Sequence, residues 1–198
     1  MEHKHLCPRC QALVRPQEGR QGMHSHAIWS FVNQVAAAVR KTHPDRFITC
    51  CAYASYHAVP KDVYLEPNVA VTLCAGHFPA GLWKPSLKEE YVKWIGEWSR
   101  KAANLTVWDY WNNPRYAKGV HGAPAVYPHA IQEWLLLERG RVKGHAIELS
   151  DIDADGASIG AWADWMMDSL NVYVAMRLLW DVDQDVDAIL EEFYREFY

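Results

Sequence analysis

Phe47-Ile48-Thr49-Cys50-Cys51-Ala52-Tyr53 is a short, nearly continuous apolar run. Runs of this kind fit strands buried on both faces, as in a parallel sheet. Asn68-Val69-Ala70-Val71-Thr72-Leu73-Cys74 has the same character. A third strand is expected from Asn104 to Tyr110, ending Val107-Trp108-Asp109-Tyr110, and a fourth from Gly144 to Leu149, with Glu148 near its end.

Helical periods surround these runs. Ile28, Phe31, Val32, Val35, Ala36 and Val39 share one face of a helix for which Ser25 is the expected N-cap. That helix should stop before Pro44. After Pro85, Ser86-Leu87-Lys88-Glu89 reads as a capping box. It opens a helix with Leu87, Tyr91, Trp94, Ile95 and Trp98 on one side. Pro128 suits the first turn of a helix carrying Ile131, Trp134 and Leu135, and Gly140 closes it. A helix over about 161–179 follows. Asp183 or Asp185 then caps a last helix striped by Val186, Ile189, Leu190, Phe193, Tyr194 and Phe197. Residues 1–24 and the stretch holding Pro60 and Pro67 read as irregular.

Buried strands alternating with helices imply an α/β fold with a parallel sheet. A closed barrel of this type needs eight strands. The expectation is therefore a single domain over 1–198, a parallel (β/α) half-barrel of about four strands with outer helices. The doubly wound alternative lacks a G-x-G-x-x-G loop after any strand. A half-barrel exposes two strand edges and an apolar inner face, which predicts self-association or pairing with an N-terminal half-barrel.

The chain has 198 residues, half of them hydrophobic, and a net charge of −4. With no basic run, nucleic acid and anionic membrane surfaces are not expected partners. No stretch of about 18 apolar residues is present, and Met1-Glu2-His3-Lys4-His5 lacks the apolar region of a signal peptide. The five cysteines, odd in number and unevenly spaced, do not suggest a disulfide framework. Cys50, Cys51 and Cys74 read as buried thiols. Ten tryptophans and ten tyrosines supply material for a core, an interface or sugar stacking.

An ordered set of short motifs runs along nearly the whole chain. It comprises Cys7-Pro-Arg-Cys10, Phe31-Val32-Asn33-Gln34-Val35-Ala36, His43-Pro44-Asp45, Ala52-Tyr53 and Pro67-Asn68-Val69. Val107-Trp108-Asp109-Tyr110, Lys143-Gly144 through Glu148, Leu179-Trp180-Asp181 and Asp185-Val186-Asp187 through Phe193 follow. In this set the chain resembles the glycoside-hydrolase-like domain of unknown function 4838, found in large bacterial proteins that are often secreted. The resemblance implies a barrel related to hexosaminidases and α-glucuronidases, but no particular reaction. Family members carry a long stretch before the cysteine motif that supplies the first half of the barrel.

Asp109 and Glu148 end adjacent expected strands, where barrels of this type carry their sites. Glycoside cleavage needs two carboxyl groups, about 5–5.5 Å apart for retention or about 6.5–9.5 Å for inversion. The pair is thus the candidate catalytic acid and nucleophile or base, with hydroxyl binding, or for Asp109 a bond to a backbone amide or arginine, as the plainer roles. Trp108, Tyr110 and Trp111 flank Asp109 as a stacking wall for sugar rings. Tyr53, Tyr56 and Trp83 fall in other strand-end loops, and His57 and His77 are candidate substrate contacts. Trp94, Trp98, Trp134, Trp162 and Trp165 sit at helical spacing and read as core. No cofactor is expected. A structural zinc at Cys7 and Cys10, drawing on His3, His5, His24 or His26, competes with free thiols or a local disulfide. Asp151, Asp153 and Asp155 begin like a calcium loop, but Trp162 stands where glutamate is required. No Gly-x-Ser-x-Gly elbow or Walker-type loop is present. The leading functional expectation is a glycoside-hydrolase-like domain acting on or binding a polysaccharide or glycoconjugate, with a non-catalytic binding or structural module as the alternative.

Overall fold

A computed structural model describes residues 7–78, 80–110, 127–147 and 165–198. Strands β1 (Ile48–Ala52), β2 (Val69–Cys74), β3 (Asn104–Asp109) and β4 (Gly144–Ile147) form one sheet in the order β1-β2-β3-β4. The sheet is parallel, and β1 pairs β2 with Cys50 opposite Val71 and Ala52 opposite Leu73. The helices are α1 (Pro8–Gln11), α2 (Ser25–Thr42), α3 (Pro85–Lys101), α4 (Pro128–Leu136), α5 (Trp165–Trp180) and α6 (Val186–Phe197). This is an α/β fold consistent with half of a (β/α) barrel.

The two faces of the sheet differ. Val69, Val71 and Leu73 of β2 are buried, as are Leu105, Val107 and Asp109 of β3. The alternate positions are more open: Ala70, Thr72 and Thr106 are half-buried, while Thr49 and Cys51 of β1 are exposed. The expectation of strands buried on both faces is thereby corrected. Burial alternates instead with the two-residue period of the strand, one row of side chains covered and the next more open. The open side is not a uniformly apolar surface either. It carries threonines, and the Thr72 and Thr106 hydroxyls bond across β2 and β3 at 3.0 Å. Cys74 is buried as expected, but Cys50 is only half-buried and Cys51 is exposed, because β1 ends the sheet.

The chain clusters into two compact units. The first takes Met1–Cys74, Lys93–Val107 and Arg141–Lys143. Its core sets Trp29 of α2 against Trp98 of α3, ring centroids 4.9 Å apart. Each indole has a backbone acceptor, Tyr56 O for Trp29 at 3.1 Å and His57 O for Trp98 at 2.9 Å. Ser25 lies inside α2 rather than capping it, and its hydroxyl donates to Ala58 O at 2.6 Å. His24 takes the cap position without a side-chain capping bond. The supposedly irregular N-terminal stretch contains the one-turn α1, started by Pro8 with Cys7 as its cap, and a 3-10 turn spans Ala54–Tyr56 in the expected loop.

The second unit takes Ala75–Val92, Trp108–Gly140 and Gly144–Tyr198. Helix α3 begins at Pro85, so Ser86 falls inside it instead of at the cap. Phe78, Tyr91 and Trp134 form an aromatic core, with Trp134 stacked on Tyr91 at 4.7 Å and edge-on to Phe78 at 5.5 Å. Gln132 of α4 donates to Val182 O at 2.7 Å and Gln184 O at 2.9 Å, tying down the turn between α5 and α6. Asp185, not Asp183, caps α6 by accepting from the Asp187 and Ala188 amides. Of the stripe expected on α6, Val186, Ile189 and Phe193 are buried, whereas Tyr194 and Phe197 are exposed.

Candidate functional site

The end of β3 places two consecutive residues on opposite faces, because side chains alternate along a strand. Asp109 continues the buried row of Leu105 and Val107 and is 0% exposed. Trp108 points to the open face and is 39% exposed. The backbone at this corner is held in place: Trp108 O accepts the Ala75 N–H at 2.8 Å. Asp109 Oδ1 accepts the Gly76 N–H at 2.7 Å and the Tyr110 N–H at 2.8 Å. A carboxylate in that arrangement ties the loop after β2 to the end of β3.

A buried polar cluster lies within the electrostatic reach of Asp109. Glu138, one residue past the C-cap of α4, receives the Tyr91 hydroxyl in a short hydrogen bond. It also faces His145 of β4, whose Nδ1 lies 2.8 Å from Oε1 and 3.0 Å from Oε2. Burial alone would pull the His145 imidazole down. The hydrogen bond and charge of Glu138, helped by the charge of Asp109, outweigh it and raise the proton affinity of the ring. Burial pushes the Tyr91 phenol well above the ordinary tyrosine value, and the charges of Glu138 and Asp109 and the bond to Glu138 push it further. Tyr91 is therefore a neutral donor, and Glu138 faces a buried histidine whose protonated form it favours.

The other expected site residues are distributed as follows. His77 is buried, with Nε2 3.0 Å from Glu90 Oε2. Tyr110 is half-buried beside Asp109. In the first unit, Tyr53 is 50% exposed just after β1. His57 is buried there against Trp94, ring centroids 4.0 Å apart. Trp83 of the second unit is exposed, and Trp134 is buried. Glu148, Trp111, Trp162 and the acidic run at Asp151, Asp153 and Asp155 lie outside the described residues. Cys7 and Cys10 are both exposed, and among the described residues no group of three or more potential metal ligands occurs.

Glu138 and Tyr91 were not singled out from sequence. Glu138 stands one turn beyond Trp134 and Leu135, seven residues after Ile131. That places a carboxylate in line with the apolar stripe of α4, just past its C-terminal end, the signal that marks it.

A family comparison covers residues 2–198, matching a domain of unknown function, DUF4838. The chain belongs to the DUF4838 family. No curated protein and no solved structure matches it. Strand β4, helix α4 and Glu138 just beyond it thus lie within the DUF4838 domain, as does the Cys7–Cys10 motif.

Proposed function

We propose that this DUF4838 domain is a glycoside-hydrolase-like module that binds a polysaccharide or glycoconjugate on the open face of its sheet. The observation that carries the reading is Trp108. It is a partly exposed indole on a threonine-bearing face, at the C-terminal end of a parallel strand. Barrels of this kind place their sites at that end. An aromatic face takes the C–H face of a sugar ring, and neighbouring hydroxyls and amides take its hydroxyl groups. Asp109 and Tyr110 fix the backbone on which Trp108 stands, which keeps the platform preorganised. Trp111 extends this wall in the proposal, and Glu148 supplies the carboxylate that hydroxyl binding or acid–base chemistry needs.

The experiment is a glycan-array screen of the wild-type domain against Trp108→Ala, with circular dichroism as the control for folding. Binding that depends on Trp108 supports the proposal. Absence of binding to any glycan, or equal binding by the variant, overturns it. Aryl-glycoside turnover that disappears in Glu148→Gln and Asp109→Asn, with folding intact, makes the module a hydrolase. Binding without turnover makes it a recognition domain.

A further inference from the structure

We propose that Cys7 and Cys10 are a redox-active pair that closes reversibly into a disulfide by exchange with small-molecule disulfides. The two sulfurs lie 3.0 Å apart in a shared hydrogen bond, and Cys7 Sγ also accepts the Cys10 N–H at 3.3 Å. Cys7 caps the turn in an extended backbone conformation, so its side chain folds back over Cys10. A disulfide has sulfurs about 2.05 Å apart, so closing requires about 1 Å of approach within one turn of chain. Both residues are exposed, and a reagent reaches them without any opening of the core.

The two thiols are also differentiated. Cys7 Sγ accepts the Cys10 N–H, and a backbone donor on a sulfur favours negative charge there. The thiolate is the nucleophile in exchange, so Cys7 is the attacking sulfur and Cys10 the resolving one. Cys7 attacks one sulfur of glutathione disulfide, that S–S bond breaks, and one glutathione leaves as thiol. Cys10 then attacks the Cys7 sulfur of the mixed disulfide and expels the second glutathione. The protein pair loses two electrons and two protons, and the reagent disulfide takes up both. Cys51 is exposed as well, but among the described residues it has no comparable sulfur contact, so it serves as an internal reference.

The test is oxidation of the reduced chain with glutathione disulfide, followed by alkylation and mass mapping of the cysteines. Of the five thiols of the chain, two are expected to be lost together, leaving three, with the new bond mapped between Cys7 and Cys10. Cys51→Ser loses the same two. Cys10→Ser instead retains one glutathione on Cys7. Dithiothreitol restores all thiols of the wild type. The proposal is overturned if Cys7 and Cys10 remain reduced at a poise that modifies Cys51. It is equally overturned if both are shielded from alkylation until a chelator is added, which assigns them to a metal.

Discussion

Glu138 turns both of its carboxylate oxygens to His145 Nδ1, at 2.8 and 3.0 Å, in a site from which water is nearly excluded. A buried hydrogen-bonded pair contributes little compared with a well-packed apolar substitute, but losing one member strands the polar groups of the other. Glu138→Ala is therefore expected to destabilise the domain by about 3–5 kcal/mol, measured by urea denaturation. Tyr91→Phe, which removes one donor to the same carboxylate, should cost about 1.5–3 kcal/mol.

The pair also sets a pH dependence. The folded imidazole holds its proton more tightly than an unfolded one. Its contribution is whole below the unfolded histidine value of about 6.5 and is lost as pH rises through the folded value. Denaturation midpoints should fall as pH is raised from near neutrality into the alkaline range, and Glu138→Gln should flatten that fall. An unchanged slope in the variant would show that another group sets it.

Gly81 makes the closest approach to the aromatic core of the same unit. A Cβ there would stand 2.5 Å from Cη2 and 2.6 Å from Cζ3 of Trp134. The indole has little room to yield, since it is stacked on Tyr91 and edge-on to Phe78. Gly81→Ala should cost about 1–3 kcal/mol through overpacking. Trp134→Phe removes the colliding atoms, so the double variant should lose less than the sum of the single ones. Additive losses in that cycle would place the strain elsewhere.

Much of this was legible in the chain. Asn68–Cys74, read as an apolar run, and Asn104–Tyr110, read as a third strand, both form strands close to their expected bounds. The α2 period located the helix and its buried Val32 and Ala36, but of the expected stripe Ile28, Val35 and Val39 are only half-buried and Phe31 is exposed, while Trp29, outside that stripe, is fully buried. The direction of Asp109 was also present, because it stands two and four residues after Val107 and Leu105. Exposure of Cys51 was not legible, because nothing local to β1 says that it ends the sheet. Nor do capping residues announce competitors: Ser25 prefers the Ala58 carbonyl, a partner 33 residues away. The Glu138–His145 contact was not legible for a related reason, as the two residues meet only once a helix end and a strand pack together.

Strands β1 and β4 end the sheet, and each leaves one edge of backbone groups without a sheet neighbour among the described residues. Exposed Phe47 stands immediately before β1. Unpaired edges invite strand addition, and a (β/α) barrel is completed by eight strands. Self-association, or capture of a complementary half-barrel, is the expected consequence. Light scattering over a concentration series should show a mass above that of one chain. Lysine at Thr49, exposed on β1, should weaken the assembly. A concentration-independent monomer would remove the premise.

The last prediction separates two roles of Asp109. Its Oδ1 holds the Gly76 and Tyr110 amides, and the residue is fully buried. Asp109→Ala strips the acceptor from two backbone donors, each worth about 1–3 kcal/mol when stranded. A loss of about 2–6 kcal/mol is therefore expected, with disorder at the Trp108 platform and weaker glycan binding. Asp109→Asn keeps an oxygen of the same shape and position, so it should preserve the corner and the binding while surrendering the charge. A positioning residue predicts this split, with Ala damaging and Asn tolerated. A carboxylate that transfers a proton predicts that both variants abolish turnover while Asn leaves stability intact. Urea denaturation, glycan affinity and aryl-glycoside turnover measured on the two variants distinguish these outcomes, because the acceptor and the ionisable proton are removed in separate steps.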